Sequence, residues 1–194
     1  MEPVEFELTN PRQTALPENC KKYYISDIAF TGGWINTFNV DDFEELNNAH
    51  SLGYVKVSEI EAYRGSAGVF IKGNSVIVLS SSGLLDMDNY IIFCNTNEDE
   101  VLEILTLILK RHIEKIGLEI TREMLHQDEN EEKVVINPIV EGVKNSRNAK
   151  ERARVMLKMF DDFLSGKYLP RSVEDILTYV DSINRVYYGD DEHG

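Results

Sequence analysis

Cysteine is scarce in this chain, with Cys20 and Cys94 the only two among 194 residues. Two thiols are too few for a disulfide framework and cannot by themselves build a zinc site. We expect no disulfide between them and no bound transition metal, which points to a reducing cytoplasm. Long apolar runs are missing too: no stretch approaches the roughly 20 residues of a membrane span. The opening MEPVEFELTN has neither the basic nor the apolar part of a secretory signal. Cations are in deficit, with 20 Lys and Arg against 34 Asp and Glu and a formal net charge of -14. Residues 1–100 hold 6 basic and 16 acidic side chains, and residues 101–194 hold 14 and 18. So acidic an N-terminal half disfavours phosphate backbones and anionic lipid as partners and suits a basic protein; in a homo-oligomer, the acidic half of a second copy would be met by the basic stripe at 144–158.

Several chemical signatures are absent. SSSGLLDMDN, residues 80–89, has the serines, glycine and aspartates of a phosphate or calcium loop. A calcium loop starting at Asp86 would need glycine where Ile91 stands and glutamate where Asn97 stands. No Gly-Lys-Ser/Thr triplet exists for a phosphate loop, Gly32-Gly33 lacks the dinucleotide-binding spacing, and there is no Gly-x-Ser-x-Gly nucleophile elbow. Residues 80–89 therefore read as a polar connection between strands.

What is present is regular structure. VEFEL (Val4–Leu8) alternates as a half-exposed strand does, KYYISDIAF reads as a strand, and DDFEELNNAH as a short helix. YVKVSEIEAY has a mixed alternation, with Tyr54, Lys56, Ser58 and Ile60 on one face and Val55, Val57, Glu59 and Glu61 on the other. The mixture predicts a break near Ser58. GVFIKGNSVIVL is a hairpin turning at Gly73-Asn74, and the unbroken apolar run YIIFCN is a buried central strand. Asn97 caps a helix with Glu100 as its capping-box partner, and Gly117 is expected to end it. A second helix carries the apolar stripe Ala149, Ala153, Met156, Phe160 and Phe163 and stops at Gly166. A third is capped by Ser172, supported by Asp175, and turns Leu177, Val180, Ile183 and Tyr187 inward.

Candidate chemistry is thin. Cys94, where a strand enters a helix, has acids ahead of it that would repel an anion or a thiolate. Glu123 and His126 have the i, i+3 spacing of a di-iron ligand pair, but the motif does not recur. His112 reads as a histidine on an apolar helix face. Glu59, Glu61, Asp86, Asp88 and Cys94 are the residues an enzyme would have to use. The locally unusual feature is KNSRNAKERARVMLK, where Lys144, Arg147, Lys150, Arg152, Arg154 and Lys158 oppose one acid, Glu151. Arg147, Lys150, Arg154 and Lys158 fall at helical spacing away from the apolar stripe. These residues, with Lys144, are candidate contacts for an anion or a partner.

The pattern implies an α+β fold: a mainly antiparallel sheet in the N-terminal half packed by one long helix, then a C-terminal helical pair. The expected organisation is an α+β domain over 1–127, an acidic linker at 128–134, a helical region over 135–188 and an acidic tail at 189–194. The functional expectation is a non-catalytic cytoplasmic protein acting through protein–protein contacts, as an assembly subunit or regulator, without a cofactor. The alternatives are a nucleic-acid-associated regulator using the 144–158 stripe and an enzyme with a loop-built site.

Overall fold

The computed structural model describes residues 16–29, 38–62, 65–81, 89–129 and 149–188. The expected strand at Val4–Leu8, the aspartates Asp86 and Asp88, the stripe residues Lys144 and Arg147, and the 189–194 tail lie outside them. The chain falls into two compact units, Met1–Ser26 with Asn36–Val101, and Asp27–Ile35 with Leu102–Gly194.

The first unit is built on a five-stranded antiparallel sheet in the order β1-β5-β4-β3-β2. Its strands are β1 (Cys20–Tyr24), β2 (Val55–Ala62), β3 (Gly65–Lys72), β4 (Ser75–Ser81) and β5 (Tyr90–Cys94). The β3–β4 hairpin turns at Gly73-Asn74 as expected. Gly73 takes φ +59 while Asn74 keeps negative φ, the signature of a turn that needs glycine only at its first central position. β5 is buried along its whole length between β1 and β4. Helix α2 (Val40–Ala49) is closed by a reciprocal capping box between Asn39 and Asp42. It covers one sheet face, with the Phe43 ring 4.6 Å from that of Phe70. The opposite face carries a cluster of Cys20, Val78, Tyr90, Ile92 and Cys94, flanked by Leu16, Tyr24, Val69 and Val76.

Two expectations about β1 are corrected. The strand stops at Tyr24, and Ile25–Ile28 forms a short helix, α1. Tyr24 pairs with Tyr90, the first residue of β5, and among the described residues one further backbone bond, from the Ile25 N–H to the Asn89 carbonyl at 2.8 Å, closes the ladder as the helix begins. Cys20 and Cys94 are bridged, contrary to the expectation of two free thiols. Strand pairing sets them directly opposite each other with their Cα atoms 4.1 Å apart, although 74 residues separate them in sequence. With the bridge, the argument from free thiols to a reducing compartment loses its ground.

Helix α3 (Glu98–His112) begins in the first unit, where Asn97 caps it by accepting the Glu100 N–H at 2.8 Å. Gly117 does not end it. The chain continues through a π-helical turn, Ile113–Gly117, into α4 (Leu118–Glu129), which runs into the acidic stretch expected to be linker. His112 and Leu118 on either side of the π turn both keep right-handed helical backbone angles, and the Leu118 N–H donates to the Ile113 carbonyl across it. In the next turn the Thr121 hydroxyl donates to the carbonyls of Gly117 and Leu118.

The second unit also contains α5 (Ala149–Leu164) and α6 (Val173–Tyr188). All five expected stripe residues of α5 are buried, and Gly166 at φ +82 follows the helix. Ser172 accepts the Asp175 N–H, and the Asp175 carboxylate accepts the Arg171 N–H. On α6 the inward residues are Ile176, Tyr179, Val180, Ile183 and Tyr187; Leu177, one position round the helix, is half-buried. Tyr179 stacks with Tyr168 and Phe163 at 5.0 and 5.4 Å between ring centroids. Its hydroxyl donates to the Met159 carbonyl at 2.8 Å.

Candidate functional site

Among the described residues of the first unit, the most exposed large apolar side chains lie on β2: Val55 at 64% exposed, Val57 at 55% and Ile60 at 51%. β2 is an edge strand among the described residues, paired only with β3. The register slips between Lys56 and Ser58, the break expected from the mixed alternation, leaving Val57 as the extra residue of a bulge. The bulge changes which residues share a face. Lys56, Glu59 and Glu61 stand opposite Phe70, Gly68 and Ser66, on the side covered by α2. Val55, Ser58 and Ile60 stand opposite Ile71, Val69 and Ala67, on the other. A two-residue period without a bulge had divided these side chains differently.

On the α2 side the charges are organised. Lys56 donates to Glu44 at 2.8 Å and is also paired with Glu59. These two hydrogen bonds, the Glu44 bond the larger, hold the ammonium above the usual lysine range. α2 and β2 together carry Asp41, Asp42, Glu44, Glu45, Glu59 and Glu61 against that one lysine. The edge therefore combines an exposed aliphatic strip with an acidic flank, the composition of a contact surface with a polar rim.

A second cluster lies at the hairpin end of the sheet. Tyr54, Ser75 and Thr96 form a chain of hydroxyls at 2.8 and 2.6 Å, ending at the Cys94 carbonyl. Lys72 pairs with Glu100, donates to the Leu52 carbonyl at 3.1 Å, and lies 4.8 Å from the centre of the Tyr54 ring. Burial, above all, pushes the Tyr54 phenol up to about 12, so it stays protonated at neutral pH. These groups satisfy one another and clamp the hairpin to the start of α3; this is a structural network. The lysine–glutamate part spans 28 residues and carries no sequence signature.

The chain matches no family model, no curated protein and no solved structure. The reading of function therefore rests on the residues.

Of the enzyme candidates, Glu59 is paired with Lys56, and Cys94 is committed to its bridge. Glu61 is exposed on the edge. Glu123 lies on α4, where burial and then the neighbouring Glu119 raise its carboxyl above the ordinary value. Among the described residues no group of three or more His, Cys, Asp or Glu could hold a metal ion, and no helix is long and apolar enough to cross a membrane. The basic stripe is set out on the outer side of α5: Arg154 and Lys158 are exposed and Lys150 is half-buried. Lys158 pairs with Asp162 one turn on, at 3.4 Å. Arg152, on the same helix, is different. Its Nε and Nη2 are buried without a hydrogen-bond partner among the described residues.

Proposed function

We propose that this protein works through protein–protein contact, as an assembly subunit or regulator, with the edge of the N-terminal sheet as a docking surface. The observation that carries the reading is the exposure of Val55, Val57 and Ile60 together on an edge strand. Singly exposed aliphatics are ordinary; three within six residues of one open edge form a strip that a partner strand or side chain would dehydrate. The surrounding acids favour a partner, or a face of one, that brings positive charge. The test is capture of binding proteins from the native host by the intact chain and by a Val57→Asp/Ile60→Asp variant. A partner lost with the variant supports the reading; equal capture by both overturns it.

A nucleic-acid contact through Lys150, Arg154 and Lys158 is the second reading, favoured by their shared outer face on α5. Binding to DNA or RNA that weakens with salt and disappears when all three become glutamine would establish it. The net charge of -14 opposes it.

A further inference from the structure

The side of β2 that no other described strand covers has a polarity of its own. Lys72 and Ser75 close a two-residue hairpin, so Lys72, Phe70 and Gly68 exchange backbone hydrogen bonds with β4, and the residues between them, Ile71, Val69 and Ala67, with β2. Their partners Val55, Ser58 and Ile60 thus turn N–H and C=O inward. Lys56, Glu59 and Glu61 turn theirs to the open edge. The bulge makes Lys56 and Glu59 equivalent in this respect although they are three residues apart.

That pattern is self-complementary. Laid antiparallel on itself about a two-fold axis between Val57 and Ser58, β2 sets Lys56 opposite Glu59 of the second copy, and Glu59 opposite its Lys56. The same register sets Val55 opposite Ile60 twice and brings both Val57 side chains to the axis. Registers that oppose Glu59 to Glu59 or to Glu61 place like charges together, which disfavours them. We propose that β2 is a homodimer edge, two copies pairing through it in the Lys56–Glu59 register so that two five-stranded sheets become one continuous sheet. The inference rests on the reading of β2 as a contact surface and names its occupant.

The bulge and the edge charges deter an unrelated strand, as such devices do. A second copy is the strand that brings the matching charges, so one pattern excludes strangers and admits itself. Two chains each at -14 repel at long range. That repulsion is screened beyond about 8 Å at physiological ionic strength, so the contact forms at physiological salt and weakens in dilute buffer.

Sedimentation equilibrium of the full chain at physiological salt and about 0.1 mM protein is the test. The wild type should be dimeric and Val57→Lys monomeric. Lys56→Glu and Glu59→Lys should each weaken the dimer roughly tenfold or more, since each homodimer then sets two like-charged pairs at the axis. Mixed in equal amounts, these two variants should form a heterodimer of near wild-type affinity, because the two acids of one chain then face the two bases of the other. Circular dichroism melts check that each variant is folded. A monomeric wild type, a dimer indifferent to the substitutions, or two variants that fail to complement each other would overturn the proposal. If the wild type is monomeric and Val57→Asp/Ile60→Asp still abolishes capture of a host protein, the contact surface stands and only the second copy is wrong.

Discussion

Removing the Cys20–Cys94 bridge should weaken the first unit more than any other covalent change. The bridge closes a loop of 74 residues that spans every strand of the sheet. In the chain-entropy treatment, closing a loop of that length removes about 4.5 kcal/mol of denatured-state freedom at 25 °C. Against a typical total of about 5–15 kcal/mol, this is a large share. Partial detachment sets a lower limit to the observed loss. β1 is a five-residue edge strand, and its other ties to the sheet and to α3 are modest. The Lys21–Glu98 pair is 59% and 78% exposed, and such pairs contribute under about 1 kcal/mol. The Asn19 amide donates to the Asn95 side chain at 2.7 Å, also at the surface. Reduction should therefore let β1 fray before the rest of the sheet unfolds. The assay is thermal unfolding of oxidised and reduced protein, with amide exchange read at Lys21 and Tyr23, the β1 residues whose N–H groups face β5. The reduced form should melt about 10 °C lower, and the β1 amides should lose protection first. Alkylation under native and denaturing conditions should label the two cysteines only after reduction. Free thiols before reduction, or coincident melts of the two forms, would refute the reasoning.

Other expectations follow from single side chains. Gly68→Ala should cost about 1–3 kcal/mol by denaturant titration, because its Cβ would come within 3.1–3.3 Å of Val40 and Phe70, both buried, which would have to shift by a few tenths of an ångström. Gly73→Val should cost about 1 kcal/mol or more, purely through its positive φ, since no atom lies within 4 Å of the added Cβ. Arg152→Met should leave stability unchanged or raise it by about 1–3 kcal/mol, since it removes a buried guanidinium edge without a hydrogen-bond partner among the described residues; a loss of stability would show that the edge is paired. The folded-state value of Glu123 lies above its ordinary 4.5, so the native state holds the proton more tightly and stability falls as pH rises through that window. Glu123→Gln should thus be more stable than wild type at pH 7 and indistinguishable well below pH 4.5, as measured by melts across pH.

What the sequence determined by itself was local. The Gly73-Asn74 turn needs one residue free of a Cβ. The Asn39, Asn97 and Ser172 caps need a side-chain oxygen three residues before an N–H, and the α5 stripe needs apolar residues every three or four positions. Each is set by neighbours within one turn of chain, and the hairpin, α2, α5 and α6 follow from them. The bulge was legible as a fault in alternation, but not its consequence. Only pairing with β3 decided that Lys56 joins Glu59 and Glu61 on one face and leaves Val55 and Ile60 on the other. The bridge was illegible for the same reason. Cys20 meets Cys94 because β1 adds beside β5 in a register chosen by packing across 74 residues, which no short-range pattern encodes. Gly117, a helix terminator by local preference, became an interior residue once burial of Ile113, Gly117 and Ile120 favoured carrying the helix through a π turn. Tertiary structure decided the contact surface as well, since an alternating strand reads alike at the centre and at the edge. Only sheet order put β2 at an edge of the described sheet rather than at its centre.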